Sequence, residues 1–156
     1  MNFETRRRML MASEKVERLY IYKQGNSGFE NCTYSTYKSF LGDSMKIEFN
    51  YSGYKSAALM KGSGTKGRVY FYIDVTKYKN IIIEGYHSTK GKNSDFFGFS
   101  ENVDISTALK ETQITTDKTN PMGIYEFDVS DKTGGIIFAY ERNSEGTFFI
   151  VNMYLE

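Results

Sequence analysis

Two acidic side chains stand in matched settings, Ile73-Asp74-Val75-Thr76 and Phe127-Asp128-Val129-Ser130, and paired carboxylates are the groups that glycoside cleavage employs. In such a pair one acid protonates the leaving oxygen while the other attacks the sugar or activates water. The surroundings argue for a different job. Each aspartate ends an apolar run, a hydroxyl residue follows two positions later, and a second apolar run begins after a short polar turn, Lys77 to Asn80 in one copy and Asp131 to Gly134 in the other. A hydroxyl so placed can accept from the amides of a single turn, so Thr76 and Ser130 are expected to cap two equivalent corners between sheets. Geometry explains the repeat without chemistry.

Other routes to catalysis are thinner. His87 is the single histidine and falls near the end of an apolar run, no G-x-S-x-G elbow occurs, and Cys32 is the single cysteine, with no partner for an internal disulfide. One cysteine and one histidine do not make a zinc site. Oxygen donors gather between Ser94-Asp95 and Asp104, where a calcium ion between loops is conceivable, but without the alternating order of an EF-hand loop. The segment Gly62-Ser63-Gly64-Thr65-Lys66-Gly67 lacks the order of a phosphate-binding loop and leads into a strand. No catalytic residue, metal site or cofactor is expected, and the chain reads as a non-enzyme.

Tyrosine offers a different chemistry. A pyranose stacks its CH groups on an aromatic face while its hydroxyls seek polar partners, and Tyr51, Tyr54 and Tyr78 lie in or beside expected turns. These three are the candidate glycan-binding residues. The absence of tryptophan counts against a strong stacking platform.

The elements that must position them are mostly strands. The 156 residues suit one domain, and 13 tyrosines, 12 phenylalanines and 14 glycines favour pleated surfaces joined by tight turns. Residues 3–18 hold no glycine or proline and are rich in helix formers, so one N-terminal helix is expected, its apolar stripe too thin to be stable without a surface. From Leu19 onward the period is two. Expected strands cover 19–23, 32–37, 45–51, 54–60, 68–75, 80–87, 95–100, 112–116, 124–129, 135–141 and 147–155. In 45–51, Met45, Ile47, Phe49 and Tyr51 share one face, with Lys46, Glu48 and Asn50 on the other. The polar stretch 101–122, with the single proline Pro121, fits a loop, a short helix or an edge strand. The fold class is all-β: an antiparallel, jelly-roll-like sandwich of about ten strands over 19–156, preceded by a helical arm over 1–18.

Basic and acidic groups nearly cancel, 20 against 19, so the field that gathers nucleic acid or anionic lipid is missing. No apolar run is long enough for a membrane helix, and Met9 to Ala12 is too short for a signal-peptide core. Neither nucleic acid nor membrane is expected as a partner.

The arm sequence Glu4-Thr5-Arg6-Arg7-Arg8-Met9-Leu10-Met11-Ala12, the hydrophobic-Asp-Val-hydroxyl corner and the closing run Phe148-Phe149-Ile150-Val151-Asn152-Met153-Tyr154-Leu155-Glu156 resemble small tail or fibre-type structural proteins of tailed bacteriophages. The same features resemble the jelly-roll sandwiches of carbohydrate-binding modules. The first resemblance implies a non-enzymatic virion component of tail, baseplate or fibre, made in the host bacterial cytoplasm without a signal peptide. Its partners would be other virion proteins and copies of itself, with Phe3, Arg6, Arg7, Arg8 and Leu10 as the assembly surface. The second resemblance implies a module that recognises a cell-surface glycan through exposed tyrosines.

Overall fold

A computed structural model of the chain describes residues 17–38, 45–51, 55–61, 67–87, 96–100, 112–113, 122–142 and 147–156. Eleven strands occur among them: β1 (Leu19–Tyr22), β2 (Thr33–Lys38), β3 (Met45–Tyr51), β4 (Ser56–Lys61), β5 (Gly67–Asp74), β6 (Asn80–His87), β7 (Phe96–Ser100), β8 (Thr112–Gln113), β9 (Gly123–Asp128), β10 (Gly135–Arg142) and β11 (Phe148–Leu155). No helix is found among the described residues. The expected arm residues Phe3, Arg6, Arg7, Arg8 and Leu10 lie outside them, and Glu17 and Arg18, the last two residues of the expected arm, carry no regular structure. Arg18 instead lies over the Tyr154 ring, 4.4 Å from its centre, and its Nε meets Glu156 at 3.2 Å. Most of 101–122 is likewise outside the described residues, which include only the two residues of β8 and Met122.

All strand pairings are antiparallel. The first sheet has the order β3-β4-β11-β6-β9, with β1 also paired to β11; the second has the order β2-β5-β10-β7-β8. From β4 to β7, and again from β8 to β11, each successive strand changes sheet, so the inner faces close over one shared core. That core is aromatic at its centre. Phe97 and Phe138 of the second sheet stack at 5.8 Å, and Phe127 and Phe148 of the first meet them edge-on at 4.9 Å to Phe138 and 5.2 Å to Phe97. Such pairs contribute about 0.5–1.5 kcal/mol each beyond the area they bury.

The repeated corners explain themselves in this frame. The β5-to-β6 link crosses from the second sheet to the first, and the β9-to-β10 link crosses back; β5 pairs with β10 from Asp74 opposite Gly135, and β6 with β9 from Asn80 opposite Asp128. The corners therefore face each other across both sheets and interlock. Val75 donates its N–H to the carbonyl of Gly134 at 3.0 Å, while Val129 donates to the carbonyl of Lys79 at 2.7 Å. Each closes its own turn alike, Tyr78 donating to Val75 and Lys132 to Val129.

The capping roles differ from those the sequence suggests. The aspartates, not the hydroxyls, accept the turn amides: Asp74 Oδ1 takes the Thr76 N–H at 3.0 Å and its hydroxyl at 2.6 Å, and Asp128 Oδ1 takes the Ser130 N–H at 2.8 Å. A carboxylate is the stronger acceptor and sits two residues upstream, the spacing of an Asx turn. Freed from that duty, Thr76 Oγ1 accepts the N–H of Gly134 in the opposite corner at 2.9 Å.

One charged pair is buried away from the core. Arg68 and Glu141 are cross-strand neighbours on the outer face of the second sheet, their side chains 2% and 11% exposed, and the guanidinium meets the carboxylate while Nη1 donates to Tyr70 Oη at 3.3 Å. Tyr70 and Ala139 beside them are fully buried, with Tyr72, Phe96 and Ile137 packed around.

Two outcomes follow. Hydrogen bonds from Thr76 and Ser130 hold the Asp74 and Asp128 carboxyls below the usual carboxylate range. Their support is therefore complete above about pH 4 and lost as pH falls through the depressed folded values. Asp74→Ala or Asp128→Ala is expected to lower Tm by a few degrees at pH 7, and by less at pH 3, in thermal melts at both pH values. Glu141→Ala leaves a buried guanidinium without its carboxylate and is expected to cost about 3–5 kcal/mol in denaturant unfolding, more than either corner change.

Candidate functional site

The outer face of the first sheet is built around two irregularities. In the β3–β4 ladder Glu48 pairs with Ala58, but the next pair is Tyr51 with Ser56, so β3 carries one residue more than its partner. Asn50 takes up the excess with φ of 55°, a left-handed conformation that asparagine tolerates better than most residues. Phe49 stays packed on the core and Tyr51 is turned to the outer face, not to the side it would share with Met45, Ile47 and Phe49 in an unbroken strand.

The second irregularity is in β11. Ile150 pairs with Gly85 and Asn152 with Glu84, leaving Val151 extra. At this point β6 and β11 approach so closely that a Cβ on Gly85 would lie 2.4 Å from the carbonyl oxygen of Phe149, so only glycine fits.

Together these place an aromatic row across three strands. Tyr51, 37% exposed, lies 5.7 Å from the buried Phe149, and Phe149 stacks on the half-buried Tyr86 at 4.9 Å with ring planes 20° apart, so Tyr51 and Tyr86 are the rings of the row that meet solvent. Next along β11 is a polar pair. Asn152 donates through Nδ2 to Glu84 Oε2 at 2.8 Å and accepts the Gln24 N–H at 3.0 Å, while Tyr154 Oη donates to Glu84 Oε1 at 3.4 Å. Beyond it Tyr154 leans on Tyr20 at 5.4 Å, with Arg18 over one ring and Lys23 5.3 Å from the centre of the other. The Tyr154 phenol is raised above its ordinary value, first by burial and then by the negative charge of Glu84, with Arg18 opposing. From Phe149 to Tyr154 the face runs roughly 14 Å along the strand. It offers the Tyr51 and Tyr86 rings to stack on, a carboxylate and an amide to hydrogen-bond, and no reactive constellation among the described residues.

Of the three tyrosines singled out in the sequence, Tyr51 belongs to this row. Tyr54 lies outside the described residues. Tyr78 sits in the β5–β6 corner, partly buried against the core and donating its N–H to Val75, at the opposite end of β6 from Tyr86, roughly 20 Å away along the strand. The structure does not bring Tyr51 and Tyr78 together. Sequence reasoning missed Tyr20, Glu84, Tyr86, Phe149, Asn152 and Tyr154. In β6 the alternation Ile82, Glu84, Tyr86 against Ile81, Ile83, Gly85 carried a signal; in β11 the bulge erased it.

The other candidates fall elsewhere. His87 is buried in β6 opposite Phe148, and the half-buried Cys32 thiol is pushed up to about 11 by burial. Among the described residues no group of three His, Cys, Asp or Glu is placed to hold a metal ion, and most of 94–104 is outside them.

No protein-family model matches the sequence, and no curated protein does. Solved structures do match. Two single-residue variants of CBM29-2, studied for ligand recognition by family 29 carbohydrate-binding modules, superpose with TM-scores of 0.60 and 0.61 at 12% identity, covering 89% and 90% of this chain and 89% and 92% of theirs. The likeness is one of fold. This chain is an antiparallel β-sandwich with the same fold as those two structures.

The bulge that exposes Tyr51 is directly testable. Asn50→Gly is expected to leave stability unchanged, whereas Asn50→Val forces a β-branched residue into the left-handed region and should cost about 1–2 kcal/mol in chemical unfolding.

Proposed function

We propose that this chain is a non-catalytic binding module that holds a glycan on the outer face of its first sheet. The observation that carries the reading is the row Tyr51–Phe149–Tyr86 set directly beside the Glu84–Asn152 pair. Rings supply the apolar surface a pyranose stacks on, and the carboxylate and amide, already fixed by their own hydrogen bonds, meet its hydroxyls without further ordering cost. The sandwich shared with family 29 carbohydrate-binding modules supports the same reading. A tail, baseplate or fibre role draws no support from those neighbours, and its assembly residues fall outside the described part of the chain. Asp74 and Asp128 are spent on the corners, which supports binding over cleavage.

A glycan array with the wild-type chain, Tyr86→Ala and Tyr51→Ala tests the proposal. The wild type is expected to retain one or more glycans, and each truncation to weaken binding about three- to tenfold, the worth of one aromatic contact, with the fold kept and Tm lowered more by Tyr86→Ala, which loses its stack on Phe149, than by Tyr51→Ala. Full binding by both variants would remove the face from consideration.

A further inference from the structure

Charges on the outer face are mostly answered in place. Lys46 pairs with Glu48 and Arg18 with Glu156, while Lys23 lies over the Tyr20 ring. Glu84 is different. It is half-buried in the middle of the face, its carboxylate oxygens meet only the Asn152 amide and the Tyr154 hydroxyl, and among the described residues it has no ion-pair partner. Glu126, two places from Ile124 on β9, is exposed on the same face and adds a second negative charge without a cation. A carboxylate withdrawn partly from water, hydrogen-bonded into one orientation and flanked by aromatic rings, is the arrangement that receives an ammonium group: the charge pairs with the carboxylate while the ring faces attract the cation.

Resting on the glycan-binding reading above, we propose that the ligand is an amino-sugar glycan bearing free ammonium groups, with Glu84 as the residue that selects it. The sugar ring stacks on Tyr86, which the buried Phe149 holds in place beside Glu84, and its ammonium donates to Glu84 in place of the cation the fold omits. A uronate-bearing glycan would bring a like charge to Glu84 and Glu126 and be turned away. A neutral glycan would still stack, but without the charge-assisted bond.

Isothermal titration of the full chain with chitosan, N-acetylated chitin and cellulose oligosaccharides, and oligogalacturonate, at low and high salt, decides the matter. Chitosan oligosaccharide is expected to bind about tenfold or more tighter than the neutral oligomers, the worth of one hydrogen bond to a charged group, with an advantage that shrinks at high salt. Oligogalacturonate is expected not to bind. Glu84→Gln keeps an acceptor for Asn152 and a polar partner for sugar hydroxyls, and should bring chitosan down to the affinity of the neutral oligomers, whose own binding weakens by a smaller factor because they lose no charge-assisted bond. Equal affinity for chitosan and the neutral oligomers, tighter binding of oligogalacturonate, or an unchanged chitosan advantage in Glu84→Gln would overturn the charge assignment and leave the glycan face standing. An equal loss of chitosan and of the neutral oligomers by Glu84→Gln at unchanged Tm would show that Glu84 contacts sugars without regard to their charge and would also overturn it. No binding of any glycan by the wild type would overturn both proposals.

Discussion

The outer face of the first sheet depends on a single extra residue in β11. Side chains alternate strictly along a strand, so in an unbroken β11 the row that begins with Phe148 and Ile150 would continue through Asn152 and Tyr154. Both polar groups would then enter the core, and Met153 and Leu155 would face out. The bulge at Val151 shifts the count by one. Phe148, Ile150, Met153 and Leu155 all reach the core, and Phe149, Asn152 and Tyr154 all turn to the outer face, where Phe149 and Tyr154 are covered by their neighbours. The same step lets one edge of β11 serve two partners, β4 before the bulge and β1 after it. A register device thus aligns an aromatic row, a polar pair and a second aromatic pair on one face.

The rest of the sandwich is arranged to hold that sheet rigid. The interlocked corners tie β5–β10 of the second sheet to β6–β9 of the first at one end. The carbonyl of Glu156 accepts from both Lys79 and Asn80, at 2.8 and 2.9 Å, which fastens the far end of β11 to the same corner. Backbone groups that a crossing would otherwise strand are paired with the equivalent groups of the other crossing. The unit is built twice because each copy satisfies the other.

Much of the sandwich was legible in the sequence because strands buried on one or both faces leave a strong pattern; β3 and β6 run over the residues the alternation marks. The corners were legible as a repeat, but the direction of their hydrogen bonds was not, since Asp and Thr two residues apart can each serve as acceptor. The face was poorly legible for a physical reason. A bulge changes the parity of everything beyond it, so Tyr51 was assigned to the wrong side of β3, and Phe148 to Leu155 reads as one undivided apolar run. Glu84 and Asn152 are 68 residues apart and meet only through that shifted register. Tyr78, chosen for its place in a turn, is drawn into the core edge by the corner it helps to close.

The place of β11 in the sheet has a further consequence for how the molecule comes into being. It is the last of the eleven strands to be synthesised, yet it is the seam that joins β1, the β3–β4 pair and the β6–β9 pair into one sheet. Until it emerges, no strand ladder joins those three pieces among the described residues, although the Tyr22 and Gly25 hydrogen bonds to the Lys55 carbonyl link the β1 segment to the β3–β4 hairpin, and each piece presents an unpaired edge. Such edges are templates for pairing with the wrong chain. Assembly of the first sheet is therefore a closing event and not a gradual accretion, and the nascent chain carries its greatest risk of misassociation just before the strand that completes the outer face leaves the ribosome.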